Sequence, residues 1–102
     1  MLESFDGVSI IINADDLLLS KSVDHAVTTL FDEKAISNAT AMMCLPESVQ
    51  SLTELKLGID TRRIGVHLQL TSGAPLLSDV SSLVDTETQR FASQHNLVNT
   101  YP

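Results

Sequence analysis

Three short apolar runs, separated by stretches of different periodicity, constrain this chain more than any other feature. They are Val8-Ser9-Ile10-Ile11-Ile12-Asn13, Thr40-Ala41-Met42-Met43-Cys44-Leu45 and Ile64-Gly65-Val66-His67-Leu68-Gln69-Leu70-Thr71. The first is nearly continuous and β-branched, and reads as a strand covered on both faces that stops at Ala14-Asp15-Asp16. The second reads as a buried strand. The third alternates: Ile64, Val66, Leu68 and Leu70 share an apolar face, while Gly65, His67, Gln69 and Thr71 share a polar or small one. Between the first two runs, Val23, Ala26, Val27, Leu30 and Phe31 form one stripe at helical period. Ser20 or Ser22 can cap that helix, and Asp24 sits in the first turn, where negative charge suits the dipole. Between the second and third runs, Pro46 fits a first helical turn. Val49, Leu52 and Leu55 or Lys56 continue at helical spacing, and Gly58 is a stop signal. Strand–helix–strand–helix–strand predicts an α/β fold built on a parallel β-α-β-α-β layer with right-handed crossovers.

Past Thr71 the pattern lapses. Ser72-Gly73-Ala74-Pro75 reads as a turn, and Leu76 to Pro102 carries no sustained period. With no repeat and no linker before Ser72, residues 1–102 are expected to form a single α/β domain. That length buries a real core, but a closed (β/α)₈ barrel needs ~250 residues.

Charge narrows the partners. Thirteen acidic residues against six basic ones give a net charge of −7, which repels phosphate backbones and anionic lipid. Neither nucleic acid nor a membrane is an expected partner, and no apolar run approaches the ~20 residues of a membrane helix. The acidic start, Met1 to Asp6, lacks the pattern of a signal peptide. Cys44 is the one cysteine, so no internal disulfide forms, which suits a reducing, cytoplasmic setting. Its apolar neighbours mark it as a small core residue rather than a nucleophile.

Chemistry in α/β sheets gathers beyond the carboxyl ends of the strands. Asp15 and Asp16 end the first strand, and His67 comes late in the third, on its polar face. Successive carboxylates leaving a strand diverge, so one can bind a metal while the other takes a proton. The same residues also have plainer uses: an Asp pair at a strand end caps turns and helices, and a strand histidine often completes a structural hydrogen bond. His25 reads as a surface residue of the first helix, His95 belongs to the irregular tail, and Met42 and Met43 read as core filler. A Gly-rich phosphate loop, a CxxC pair and a nucleophile elbow are all missing.

Two segments carry a family resemblance. Asn13-Ala14-Asp15-Asp16, followed by Leu17-Leu18, resembles the Asn-Ala-Asp-Asp-Phe-Gly opening of the YdjC-like family, which includes chitooligosaccharide deacetylases. Gly65-Val66-His67-Leu68-Gln69-Leu70-Thr71-Ser72-Gly73-Ala74-Pro75 resembles its Gly-x-His-Leu-x-Leu-Thr-x-Gly-x-Pro segment. Ala39-Thr40-Ala41-Met42-Met43, Ser82-Leu83-Val84-Asp85 and Arg90-Phe91 extend the likeness to about residues 8–91. The resemblance implies the N-terminal portion of a distorted (β/α) barrel of the polysaccharide-deacetylase-like type. It also implies a metal-dependent hydrolase that removes an acetyl group from N-acetylated sugars. On that pattern Asp15 is the general base, and Asp16 and His67 are two of three ligands to magnesium or zinc. The third family ligand lies in a segment these residues do not include, so the chain is expected to be inactive alone. Leu17-Leu18 in place of Phe-Gly is the one departure inside the first motif.

Two other functions fit parts of the pattern. A phospho-receiver also places an acidic pair after its first strand, but it needs an Asp after the third strand and a Lys after the fifth. Here the third run ends in Gln69-Leu70-Thr71, and the last lysine is Lys56. A non-catalytic α/β remnant would work by association alone, its open sheet edge and uncovered apolar face favouring a homo-oligomer.

Overall fold

A computed structural model describes residues 3–55 and 58–100. The chain divides into two compact units, residues 1–67 and 68–102.

The first unit opens with a hairpin. β1 (Glu3–Phe5) pairs antiparallel with β2 (Val8–Ile10). Asp6 (φ 49°) and Gly7 (φ 84°) connect them, both left-handed, as a two-residue turn between right-twisted strands requires. This local closure changes the role of the first apolar run. Val8 and Ile10 fold back on β1 instead of entering the parallel sheet, and Ile11 and Ile12, outside any strand, are 65% and 53% exposed. The expectation of a strand covered on both faces therefore fails over Val8–Ile12. The sheet strand, β3 (Asn13–Leu17), starts at the expected end of that run and carries Asp15 and Asp16 within it.

Three strands form a parallel sheet in the order β3-β4-β5, with β4 (Asn38–Ala41) central and β5 (Ile64–Val66) on one edge. Ser37 anchors the entrance: its hydroxyl takes the Ile12 N–H at 2.8 Å and donates to the Ile12 carbonyl at 3.0 Å. Between β3 and β4 runs α1 (Lys21–Asp32), capped by Ser20, whose hydroxyl accepts the Val23 N–H at 3.3 Å. Its stripe packs inward through buried Val27 and half-buried Val23, Leu30 and Phe31, while Ala26 is exposed. The core joins these to Leu17, Leu18, Ile36, Ala39 and Ala41. Asp24 lies in the first turn as expected, and it is only 7% exposed.

Between β4 and β5 lies α2 (Ser48–Leu55). Pro46 precedes it by two residues, and buried Ser48 fixes its start by donating to the Met42 carbonyl at 2.6 Å. Leu52 and Leu55 reach the core, but Val49 points away and is 71% exposed; the alternative position Lys56 falls outside the described residues. Asp60 caps the 3₁₀ turn Thr61–Arg63 that leads into β5, and hydrogen bonds from Arg62 hold its carboxyl below the usual carboxylate range.

β5 is shorter than the alternating run. Its partner β4 ends at Ala41, whose carbonyl accepts the His67 N–H at 2.9 Å, and no ladder partner follows. The expected apolar face is open: Val66, Leu68 and Leu70 are exposed, Leu68 at 88%. In the second unit, Val84 bridges Phe91, and the Phe91 N–H reaches the Gly73 carbonyl. α3 (Gln94–Thr100) forms where the sequence shows no period. Among the described residues no helix is long and apolar enough to cross a membrane.

The end of β3 is the strained part of the sheet. Leu19 N–H closes onto the Asp16 carbonyl at 3.0 Å, making a four-residue turn with Leu18 third at φ 74°. A positive φ there marks a type II turn, which favours glycine, and for leucine costs roughly 1–2 kcal/mol. Leu18→Gly and Leu18→Ala both lose the buried side chain, but only glycine relieves the backbone. Urea unfolding is expected to find the glycine variant the more stable by about 1 kcal/mol, reversing the usual order.

Candidate functional site

β3 carries one extra residue at its acidic pair. Ala14 pairs with Ala39 and Leu17 with Ala41, so three steps on β3 match two on β4. A bulge of this kind re-aims side chains. Asp16 adopts φ 63°, a conformation aspartate tolerates better than most residues. The two carboxylates then serve different neighbours.

Asp15 turns toward Asn13 and Thr40. Its Oδ1 accepts Asn13 Nδ2 at 2.8 Å and the Thr40 hydroxyl at 3.1 Å, and Asn13 Nδ2 also reaches Thr40 Oγ1 at 3.3 Å. Both bonds use Oδ1, and none of the hydrogen bonds among the described residues uses Oδ2. Asp15 is exposed.

Asp16 turns toward His67. The Asp16 backbone N–H donates to His67 Nδ1 at 3.1 Å, and Asp16 Oδ1 lies 3.5 Å from the same nitrogen. The imidazole is 22% exposed and the carboxylate 51%. Accepting that N–H occupies the one lone pair on Nδ1. The same nitrogen faces the carboxylate, and a cation bound there would take the place of that N–H. Two ligand atoms on a tetrahedral ion with bonds of ~2.0–2.1 Å stand ~3.4 Å apart, so this pair fits two corners of a divalent site by donor type and separation. Among the described residues no group of three or more His, Cys, Asp and Glu is gathered to hold an ion.

Of the three residues singled out from the sequence, Asp16 and His67 meet at the carboxyl ends of β3 and β5, while Asp15, on the same strand end, turns to Asn13 and Thr40 instead. The other histidines lie elsewhere: His25 is exposed on α1, and His95 is exposed on α3 in the second unit. Cys44 is half-buried in the loop after β4. Asn13 and Thr40 were not expected to take part. Asn13 sits two residues before Asp15, the same-face spacing of a strand, which was the available signal. Nothing beyond the hydroxyl itself marked Thr40.

A cavity of about 270 Å³ opens beside the turn, lined in part by Leu18, Ser20, Lys21, Asp24, Leu45 and Pro46. At its rim Lys21 pairs with Glu54 at 2.7 Å; this bond raises the lysine pKa and lowers that of the glutamate, which Gln50 lowers further.

Residues 9–100 match the sequence pattern of the family described as YdjC-like protein. The chain belongs to the YdjC-like family. Among curated relatives, it is 33% identical over 95 residues to a carbohydrate deacetylase of Brevibacillus brevis, covering 93% of this chain and 38% of that protein. It is 35% identical over 78 residues to a carbohydrate deacetylase of Clostridium beijerinckii, covering 76% and 31%. It is likewise 35% identical over 78 residues to a chitooligosaccharide deacetylase of Yersinia enterocolitica, covering 76% and 30%. The chain thus spans about a third of the length of these relatives. No solved structure matches it. Leu18, at positive φ, stands where the YdjC-like motif has its glycine, so the departure costs strain without moving the residue out of the turn.

The triangle around Asp15 gives a direct check. Thr40→Val removes a hydroxyl from an exposed cluster and is expected to cost at most about 0.5–1.5 kcal/mol. Asp15 loses one of its two restraints, and its Hα–Hβ couplings should move toward rotamer averaging while the core spectrum is unchanged.

Proposed function

We propose that this chain carries the proton-transfer and part of the metal-binding machinery of a carbohydrate deacetylase, a hydrolase that cleaves the amide of N-acetylated oligosaccharides. The observation that carries the reading is the 3.5 Å approach of Asp16 Oδ1 to His67 Nδ1 beside a tethered Asp15, at the carboxyl end of a parallel sheet in a YdjC-like chain. On this reading Asp16 and His67 supply two ligands to magnesium or zinc, and the sheet is the N-terminal portion of a distorted (β/α) barrel. A bound divalent ion would polarise the acetyl carbonyl and acidify the attacking water. Asp15 takes the proton. Asn13 and Thr40 hold Oδ1, so Oδ2 is the oxygen that receives it. Water adds to the acetyl carbon, the proton taken by Asp15 passes on to the leaving nitrogen as the C–N bond breaks, and acetate and a free amino sugar result. The single cysteine, Cys44, accords with work in a reducing cytoplasm.

Two ligands fall short of the three that a catalytic zinc takes from its protein. We therefore expect weak binding and no turnover by these 102 residues alone. Zinc or magnesium added to the isotope-labelled chain should perturb Asp16 and His67 first, and Asp16→Ala or His67→Ala should weaken that response at least ~10-fold. Perturbation centred elsewhere would refute the ligand assignment. Robust acetate release from an N-acetylglucosamine oligomer would refute the expected inactivity.

A second property rests on a separate observation. Ile10, Ile11, Ile12, Val66 and Leu68 are exposed, and β5 is an edge strand of its sheet. Open edges and apolar surface favour pairing, so we propose that the chain self-associates as a homo-oligomer. Light scattering should give a mass above that of one chain; a monomer at high concentration would overturn this.

A further inference from the structure

The type II turn at the end of β3 has a donor it cannot use itself. Its closing bond runs from the Leu19 N–H to the Asp16 carbonyl, and the N–H of Leu18, the third residue, points away from that bond. A buried N–H left in that position needs an acceptor from elsewhere. Asp24 provides it: its Oδ1 accepts the Leu18 N–H at 2.7 Å in a buried contact. Asp24 is itself 7% exposed, on the first turns of α1, where its own N–H bonds to the Ser20 carbonyl at 2.9 Å. The helix thus reaches back across the loop and grips the turn that ends in the strained leucine.

We propose that Asp24 is a positioning residue for the site: by holding the Leu18 N–H it keeps the turn wound and so keeps the Asp16 N–H and carboxylate on His67. The proposal rests on the reading of Asp16 and His67 as a functional pair. The chain of contacts is short. Asp24 fixes Leu18, the Leu19-to-Asp16 bond fixes the Asp16 carbonyl, and the Asp16 N–H meets His67 Nδ1. On the far side, the Met42 N–H holds the Leu17 carbonyl at 2.8 Å. Without Asp24, Leu18 at φ 74° has a strained backbone and an unpaired buried donor, and relaxing either one unwinds the turn at Asp16. Asp24 touches neither Asp15 nor Asp16 in this scheme; it acts through the backbone.

The test uses the full 102-residue chain without metal, so it decides the role of Asp24 whether or not an ion binds. In mildly alkaline solution, imidazole ¹⁵N shifts report which ring nitrogen of His67 carries the proton. The wild type should favour the Nε2–H tautomer, because Nδ1 accepts the Asp16 N–H. Asp24→Leu, close in size and without an acceptor, should reduce that preference roughly 2- to 10-fold, the equivalent of one net hydrogen bond. Asp24→Asn keeps an acceptor oxygen and should restore it. A merely structural role would lower stability without changing the tautomer ratio. An unchanged ratio in a folded Asp24→Leu chain overturns the proposal, as does an Asp24→Asn chain altered as much as the leucine variant. Amide exchange on the wild type needs no variant. Leu18 should be protected like Val27 in α1, and exchange at the rate of an open loop overturns the proposal.

Discussion

One extra residue in β3 governs the arrangement of the site. A regular strand would send Asp15 and Asp16 to opposite faces of the sheet, one of them toward the helices. The bulge between Ala14 and Leu17 and the left-handed φ of Asp16 break that alternation. One carboxylate settles on the neighbouring strand against Thr40, and the other crosses to the histidine that follows β5. Register resumes at Leu17, which is fully buried against Ala41, so the irregularity stays confined to the acidic pair. The central strand is what makes this work, since its short side chains leave room for β3 to bend.

The bulge ends in a turn that the local residues do not favour. A leucine held at φ 74° costs roughly 1–2 kcal/mol. A hydrogen bond from its N–H to a carboxylate contributes about 1.5–3 kcal/mol, enough to offset that cost. The Leu18 side chain also lies in the core beside Val27 and Ile36. The same turn therefore joins the core to the site, and its conformation is maintained from both sides. A glycine there would sit without strain but would forfeit that burial.

The sequence revealed the order of elements better than their limits. α1 was legible because a stripe at helical period met a serine cap, and both are local signals. The start of the parallel sheet was not, because Ile10-Ile11-Ile12 looks like a buried strand whichever element claims it. The Asp6-Gly7 pair was the deciding clue, a hairpin turn that draws Val8–Ile10 away. The length of β5 was set by where β4 ends, which no property of Ile64–Thr71 reveals. For the site, spacing alone left Asp15, Asp16 and His67 open to plainer uses; the family resemblance singled them out, and the structure brings Asp16 against His67. The tethering of Asp15 by Thr40, 25 residues away, and the burial of Asp24 depend on tertiary packing. Asp24 reads as a first-turn charge suited to the dipole, and only its distance to Leu18 gives it another role.

Charge distribution around the turn bears on what the proposed site would prefer to bind. The chain carries a net charge of −7. Lys21 pairs with Glu54, and Arg62 and Arg63 pair with Asp60. Among the described ion pairs, only His67 faces Asp16. Asp15 and Asp16 are adjacent in the chain, and the bulge turns one carboxylate to Thr40 and the other to His67. Among the described ion pairs, neither carboxylate faces a lysine or an arginine. A divalent cation at Asp16 would offset this negative charge directly. An anionic ligand would add to it. Charge of this sign favours cations and neutral ligands over anionic ones.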